Sequence, residues 1–100
     1  MTYKLEFDGR DIYLRLRGHI TVLNSRRLRE ELLDFIDHGQ YFIHIDMTEV
    51  DFIDGIALGA LVSILRRTKE YGGNVFIIKP RSFIREIFNL TRLNEVFEIR

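Results

Sequence analysis

One hundred residues and a mass of 11.9 kDa suit one domain, and a chain of this size buries roughly 65% of its unfolded surface on folding. With 46% apolar residues a core forms without staples, and zero Cys excludes disulfides, thiolate-held metals and thiol nucleophiles. Fifteen basic against fifteen acidic residues argue against nucleic acid or an anionic membrane as the main partner. The longest apolar uncharged stretch, Gly55 to Leu65, is far short of the about 18–20 residues a membrane span needs. The first residues enter strand-like alternation at once, without a signal-peptide core, so a soluble cytoplasmic domain is expected.

Tyr3, Leu5 and Phe7 alternate with Lys4 and Glu6, and Ile12, Leu14 and Leu16 alternate with Tyr13, Arg15 and Arg17. Asp8-Gly9 between them supplies the turn of a β-hairpin. After Gly18 the period changes: Leu28, Leu32, Leu33 and Ile36 fall at helical spacing, with Asn24 as the expected cap and Gly39 as the stop. Phe42 to Asp46 reads as a strand. Asp54 then caps a helix whose apolar positions are Ile56, Ala57, Ala60, Leu61, Ile64 and Leu65. Gly55 and Gly59 in that helix predict the close approach of another backbone, because each costs about 1 kcal/mol against alanine. Gly72-Gly73 ends it. Val75 to Ile78 suits a strand covered on both faces, Pro80 marks a boundary, Phe83 to Phe88 is a short helical stripe, and Val96, Phe97 and Ile99 form an edge strand. The order β-β-α-β-α-β-α-β predicts an α/β fold, a mixed sheet with helices packed against it.

Charge is unevenly spread. Between Glu30 and Leu65 stand eight acids and no Lys or Arg. This is either a solvated face or an acidic patch offered to a basic partner.

Little points to catalysis. His19, His38 and His44 lack metal-ligand spacing, no glycine-rich loop opens a helix, and Ser25, Ser63 and Ser82 have no nucleophile-elbow setting. Asp46, Asp51 and Asp54 could ligate Mg²⁺ through oxygen, but as turn and cap residues they are read as structural. Asp46 with Lys79-Pro80 has a superficial likeness to a response-regulator receiver. The receiver's paired acids are absent after the first strand, where Asp8-Gly9 forms the turn, and one strand–helix unit is missing. No enzyme, metal or cofactor is expected.

The segment from Ile45 to Gly59 (Ile-Asp-Met-Thr-Glu-Val-Asp-Phe-Ile-Asp-Gly-Ile-Ala-Leu-Gly) closely resembles the central signature of STAS domains, in which Phe-(Ile/Met)-Asp-Ser-(Ser/Ala)-Gly-Leu-Gly opens a helix. Gly18-His19-Ile20, Tyr71-Gly72-Gly73 and Ile87 to Leu93 resemble further landmarks, so the likeness runs from about residue 3 to residue 99. The resemblance implies a free-standing anti-sigma factor antagonist, a bacterial regulatory module. In that family the antagonist captures an anti-sigma factor, often an ATP-dependent serine kinase, and phosphorylation of the Ser after the Asp breaks the complex. Carried onto this chain, the phosphorylation position is Gly55, which has no hydroxyl. Ile56 replaces Ser or Ala, Ala57 replaces Gly, Thr21 replaces an Asp, and Arg92 replaces a late Gly; Asp54 is retained.

The resulting expectation is an antagonist-like binding module with Asp54, Gly55, Ile56, Thr21 and Thr48 at its partner surface and no switch at Gly55. One alternative moves phosphorylation to Thr48, expected in the turn after Asp46. Another is a small-ligand domain for a nucleotide or lipid.

Overall fold

A computed structural model describes residues 1–100. Strands β1 (Thr2–Asp8) and β2 (Asp11–Ile20) form the predicted hairpin, paired from Thr2↔Arg17 to Asp8↔Asp11. Gly9, at φ 59°, provides the left-handed residue that so tight a loop requires. The chain continues through α1 (Val22–Asp37), β3 (Phe42–Ile53), α2 (Gly55–Glu70), β4 (Asn74–Ile78), α3 (Ser82–Leu90), a 3-10 turn (Leu93–Glu95) and β5 (Glu98–Ile99). The sheet order is β1-β2-β3-β4-β5, antiparallel at β1/β2 and parallel thereafter.

A sequential order of parallel strands joined by right-handed crossovers puts every helix on one face of the sheet. Burial agrees: Ile12, Leu14 and Leu16 of β2, Ile43, Ile45 and Met47 of β3, and Val75 and Ile77 of β4 are buried with the helix residues Leu28, Leu32, Leu61, Ile64, Ile84 and Phe88. The opposite face is open. Its β4 residues, expected to be covered on both sides, are only half-buried. There Phe76 stacks on His44 at 4.7 Å, His44 on Tyr13 at 4.6 Å, and the Arg100 guanidinium lies 4.3 Å from the Phe76 ring centre. His44 also hydrogen-bonds Asp11 at 2.7 Å. It belongs to this aromatic row on the sheet surface.

Four further expectations are corrected. Strand β3 does not stop at Asp46 but runs to Ile53, so Thr48 lies inside a strand rather than in a turn. The cap of α1 is Thr21, not Asn24. The last strand is reduced to Glu98–Ile99, with Val96 exposed. Gly55 and Gly59 face open space, whereas a Cβ on Gly73 would sit 1.8 Å from the Tyr41 carbonyl oxygen. The close approach is therefore at the α2–β4 connection.

These glycines separate cleanly by substitution. Gly73→Ala should lose about 1–3 kcal/mol of stability, as overpacking does, because backbone must move. Gly59→Ala should gain about 0.5–1 kcal/mol. Urea unfolding of both variants measures the two signs.

Candidate functional site

Strands β2 and β3 end side by side, with Ile20 opposite Ile53. The next residues therefore start α1 and α2 next to each other, and the two helices pack along their length. Asp54 ties the two starts together. Its Oδ1 accepts from the Ala57 N–H at 2.8 Å, the ordinary cap of α2, while Oδ2 accepts from the Val22 N–H at 2.9 Å, the first residue of α1. Its own N–H donates to the Ile20 carbonyl at 3.1 Å. One carboxylate thus serves two helix N-termini, where free N–H groups and both dipoles favour negative charge. The Ala57 and Val22 N–H groups hold the Asp54 carboxyl below the usual carboxylate range.

Thr21 completes the start of α1. Its hydroxyl accepts from the Leu23 N–H at 3.3 Å, and its own N–H donates to the Asn24 side chain at 2.9 Å. Asn24 in turn donates to the His19 carbonyl at 2.9 Å. The sequence signal for Asn24 was real, but its role is the reciprocal half of a capping box.

Around this polar hinge lies exposed apolar surface. Ile56 is 61% exposed, Leu23 92%, Val22 49% and Phe52 47%, with the Phe52 ring set edge-on against His19. A shallow groove of about 350 Å³ continues between α1 and α2, lined by Val22, Ser25, Arg26, Ile56, Gly59 and Ala60 among others. The bare glycine at 59 keeps it open. Val22, Leu23 and Phe52 were not foreseen. Leu23 precedes the regular stripe of α1, and its lack of a buried partner is the only sequence sign of exposure.

Thr48 is not part of this constellation. Its hydroxyl donates to Asp46 at 2.6 Å and its N–H to the same oxygen at 2.9 Å. Its carbonyl accepts from Arg81 at 2.9 Å. Burial pushes the Asp46 carboxyl up, but the two Thr48 hydrogen bonds, with Arg15 and Lys79, bring it below its ordinary value. Thus Asp54, Gly55, Ile56 and Thr21 converge, and Thr48 falls with Asp46 and Arg81 farther back along β3.

The acidic stretch does not form a free acidic patch. Glu30 pairs with Arg26, Asp34 with His38, Asp37 with Arg67, Asp46 with Arg15, Glu49 with Arg17 and Asp51 with Arg81. Glu31 accepts from the Tyr3 hydroxyl, and Asp54 is spent on caps. A second depression, of about 490 Å³, lies on the open sheet face beside Tyr13, His44 and Asp46. No helix is long and apolar enough to cross a membrane.

The result is an α/β domain with a one-sided mixed sheet and two helix starts joined by an Asp. The STAS domain profile matches residues 2–100, and the chain belongs to the STAS domain family. It is 23% identical over 90 residues to the anti-sigma-B factor antagonist of Staphylococcus epidermidis, covering 89% of this chain and 83% of that one. Among solved structures it resembles Thermotoga maritima TM1081, with a TM-score of 0.90 at 20% identity over 97% of this chain and 84% of that one. It also resembles the Bacillus anti-sigma factor antagonist SpoIIAA in its unphosphorylated form, with a TM-score of 0.83 at 17% identity over 99% and 87% of the two chains.

The shared carboxylate has a pH signature. A folded-state carboxyl held below its unfolded value of about 3.9 contributes stability that is present above that value and lost as pH falls through the folded pKa. Asp54→Asn should lower Tm by several degrees at neutral pH, and the gap from the parent should begin to narrow near about pH 4 and close as pH falls on through the folded pKa. Melting curves of both proteins from neutral to acid pH check this. Thr21→Ala should cost about 1 kcal/mol at every pH.

Proposed function

We propose that this chain is an antagonist-like regulatory binding module that captures an anti-sigma factor, or a related serine-kinase-like ATPase, on the surface formed by the N-termini of α1 and α2. The observation that carries this reading is the group of exposed apolar side chains at the two helix starts, Val22, Leu23, Phe52 and Ile56, beside a carboxylate whose two oxygens are already engaged. Large apolar side chains gathered this way mark interaction sites. A carboxylate so occupied positions backbone; it is not free for acid–base work. Membership of the STAS family and likeness to named antagonists support the partner class.

In this reading Asp54 and Thr21 fix the platform, Ile56 is the contact and Gly55 leaves the complex without the family's phosphoswitch. A phosphate at Gly55 would stand at a helix N-terminus, which favours anions, yet beside the Asp54 carboxylate and on the docking surface. Glycine closes that route. Thr48 gains no support as a replacement, since its hydroxyl is held by Asp46 away from the cluster.

With the purified anti-sigma factor of the source organism as probe, Ile56→Asp should weaken capture more than tenfold, as loss of a central hot spot does. Its Tm should stay near that of the parent, because the side chain is largely in solvent. Unchanged affinity would overturn the reading. Incubated with the partner kinase and ATP, the parent should keep its mass. Gly55→Ser, for which a Cβ meets nothing within 4 Å, should gain one phosphoryl group and release the partner. A parent chain that gains mass would place the switch at another hydroxyl.

A further inference from the structure

The sheet has two outer edges and one internal stretch left unpaired, and only one of these is open and long. Beyond Asp46, β3 has no β4 residue beside it. Arg81 covers that stretch, donating to the Thr48 carbonyl at 2.9 Å and pairing with Asp51 at 2.5 Å. The β5 edge has two residues. Strand β1 has seven and its pairing to β2 runs without a bulge. It contains no proline, and no strand lies on its outer side. An edge of this kind is a template for another strand unless charge or shape blocks it.

The charges on β1 are unused within the chain. Lys4 and Glu6 are exposed, and neither takes part in an ion pair or side-chain hydrogen bond, although most acids elsewhere in the protein do. We infer that the β1 edge pairs antiparallel with the β1 edge of a second copy, about a two-fold axis at Leu5, to give one continuous sheet.

The register follows from the sequence Thr-Tyr-Lys-Leu-Glu-Phe-Asp. Centred on Leu5, it sets Lys4 opposite the partner's Glu6, and Glu6 opposite the partner's Lys4, on the open face. On the helix face it sets Tyr3 opposite the partner's Phe7, which in the free chain is 50% exposed. Opposed positions share parity, so outward amides of one strand meet outward carbonyls of the other. Centring on Lys4 or Glu6 opposes like charges, which is destabilising. Registers centred between residues set charged side chains against apolar ones. The Leu5 register satisfies both faces and is the one that pairs all seven residues of the strand.

A single strand pair buries little area, so the dimer is weak and concentration-dependent. Sedimentation velocity from micromolar to sub-millimolar protein should show the mass rise from 11.9 kDa toward twice that value. Glu6→Lys puts two lysine pairs across the axis and should weaken association on the order of tenfold. Lys4→Glu should do the same with two glutamate pairs. The double exchange, Lys4→Glu with Glu6→Lys, restores both ion pairs and should restore the dimer. A structural role within one chain predicts no such rescue. Melting curves confirm that each variant is folded. A chain monomeric throughout, or a dimer indifferent to the single exchanges, overturns the inference. Loss of partner capture by Ile56→Asp is independent of either result.

Discussion

The fold turns on a carboxylate shared by two helices. Parallel pairing brings the ends of β2 and β3 level, so α1 and α2 both begin at the same corner of the sheet with their free N–H groups in one place. Left alone, the two positive dipole ends would repel. Asp54 supplies one negative charge to both, through Ala57 and Val22, and its backbone N–H binds Ile20. The direction in which each helix leaves the sheet is thereby coupled to the other. Everything exposed at that corner inherits its position from these three hydrogen bonds.

The remaining electrostatics leave that corner apolar. A chain with equal numbers of acids and bases could still present a strongly charged face, but here the acids of α1 and β3 are met one by one, most of them by an arginine, Asp34 by His38 and Glu31 by the Tyr3 hydroxyl. Arg67 takes Asp37 across from α2 to α1, joined by the Tyr71 hydroxyl at 2.9 Å. Exposed pairs of this sort contribute little stability each, about 0–1 kcal/mol. Their larger consequence is to cancel local fields, so that the surface around Ile56 offers shape and apolar contact instead of long-range attraction.

Much of the fold was legible because one periodicity holds over each short element. Alternation in Tyr3–Phe7 and Ile12–Leu16 and the Asp8-Gly9 turn give the hairpin, and the helical stripe of Leu28, Leu32 and Ile36 gives α1. Legibility fails where the ladder slips. In β3 the buried residues run Ile43, Ile45, Met47 and then Val50 and Ile53, because β2 and β3 lose register between Arg15 and Arg17 and again between Gly18 and His19. A period of two read past Met47 therefore ends the strand too early and makes Thr48 a turn residue. The run Val75–Ile78 misleads for another reason. Four apolar residues in succession look doubly covered, yet Phe76 finds its partners, His44 and Arg100, on the open face.

At the site itself the sequence revealed the cap but not its second partner. Nothing in the spacing of Asp54 shows that its other oxygen reaches Val22, because that contact depends on the relative heights of two strand ends set by the bulges. The exposed Val22, Leu23 and Phe52 were hidden for the same reason, since an apolar residue at an element boundary is read by default as core. Gly55 is the instructive case. As a helix-interior glycine it predicts crowding, but at the first position of α2 it meets none. What its bare backbone does is keep the space between Asp54 and Ile56 free of any side chain. A glycine with room for a Cβ is not there for packing; in the proposed binding role, the space it leaves lies open to a partner approaching the corner from outside.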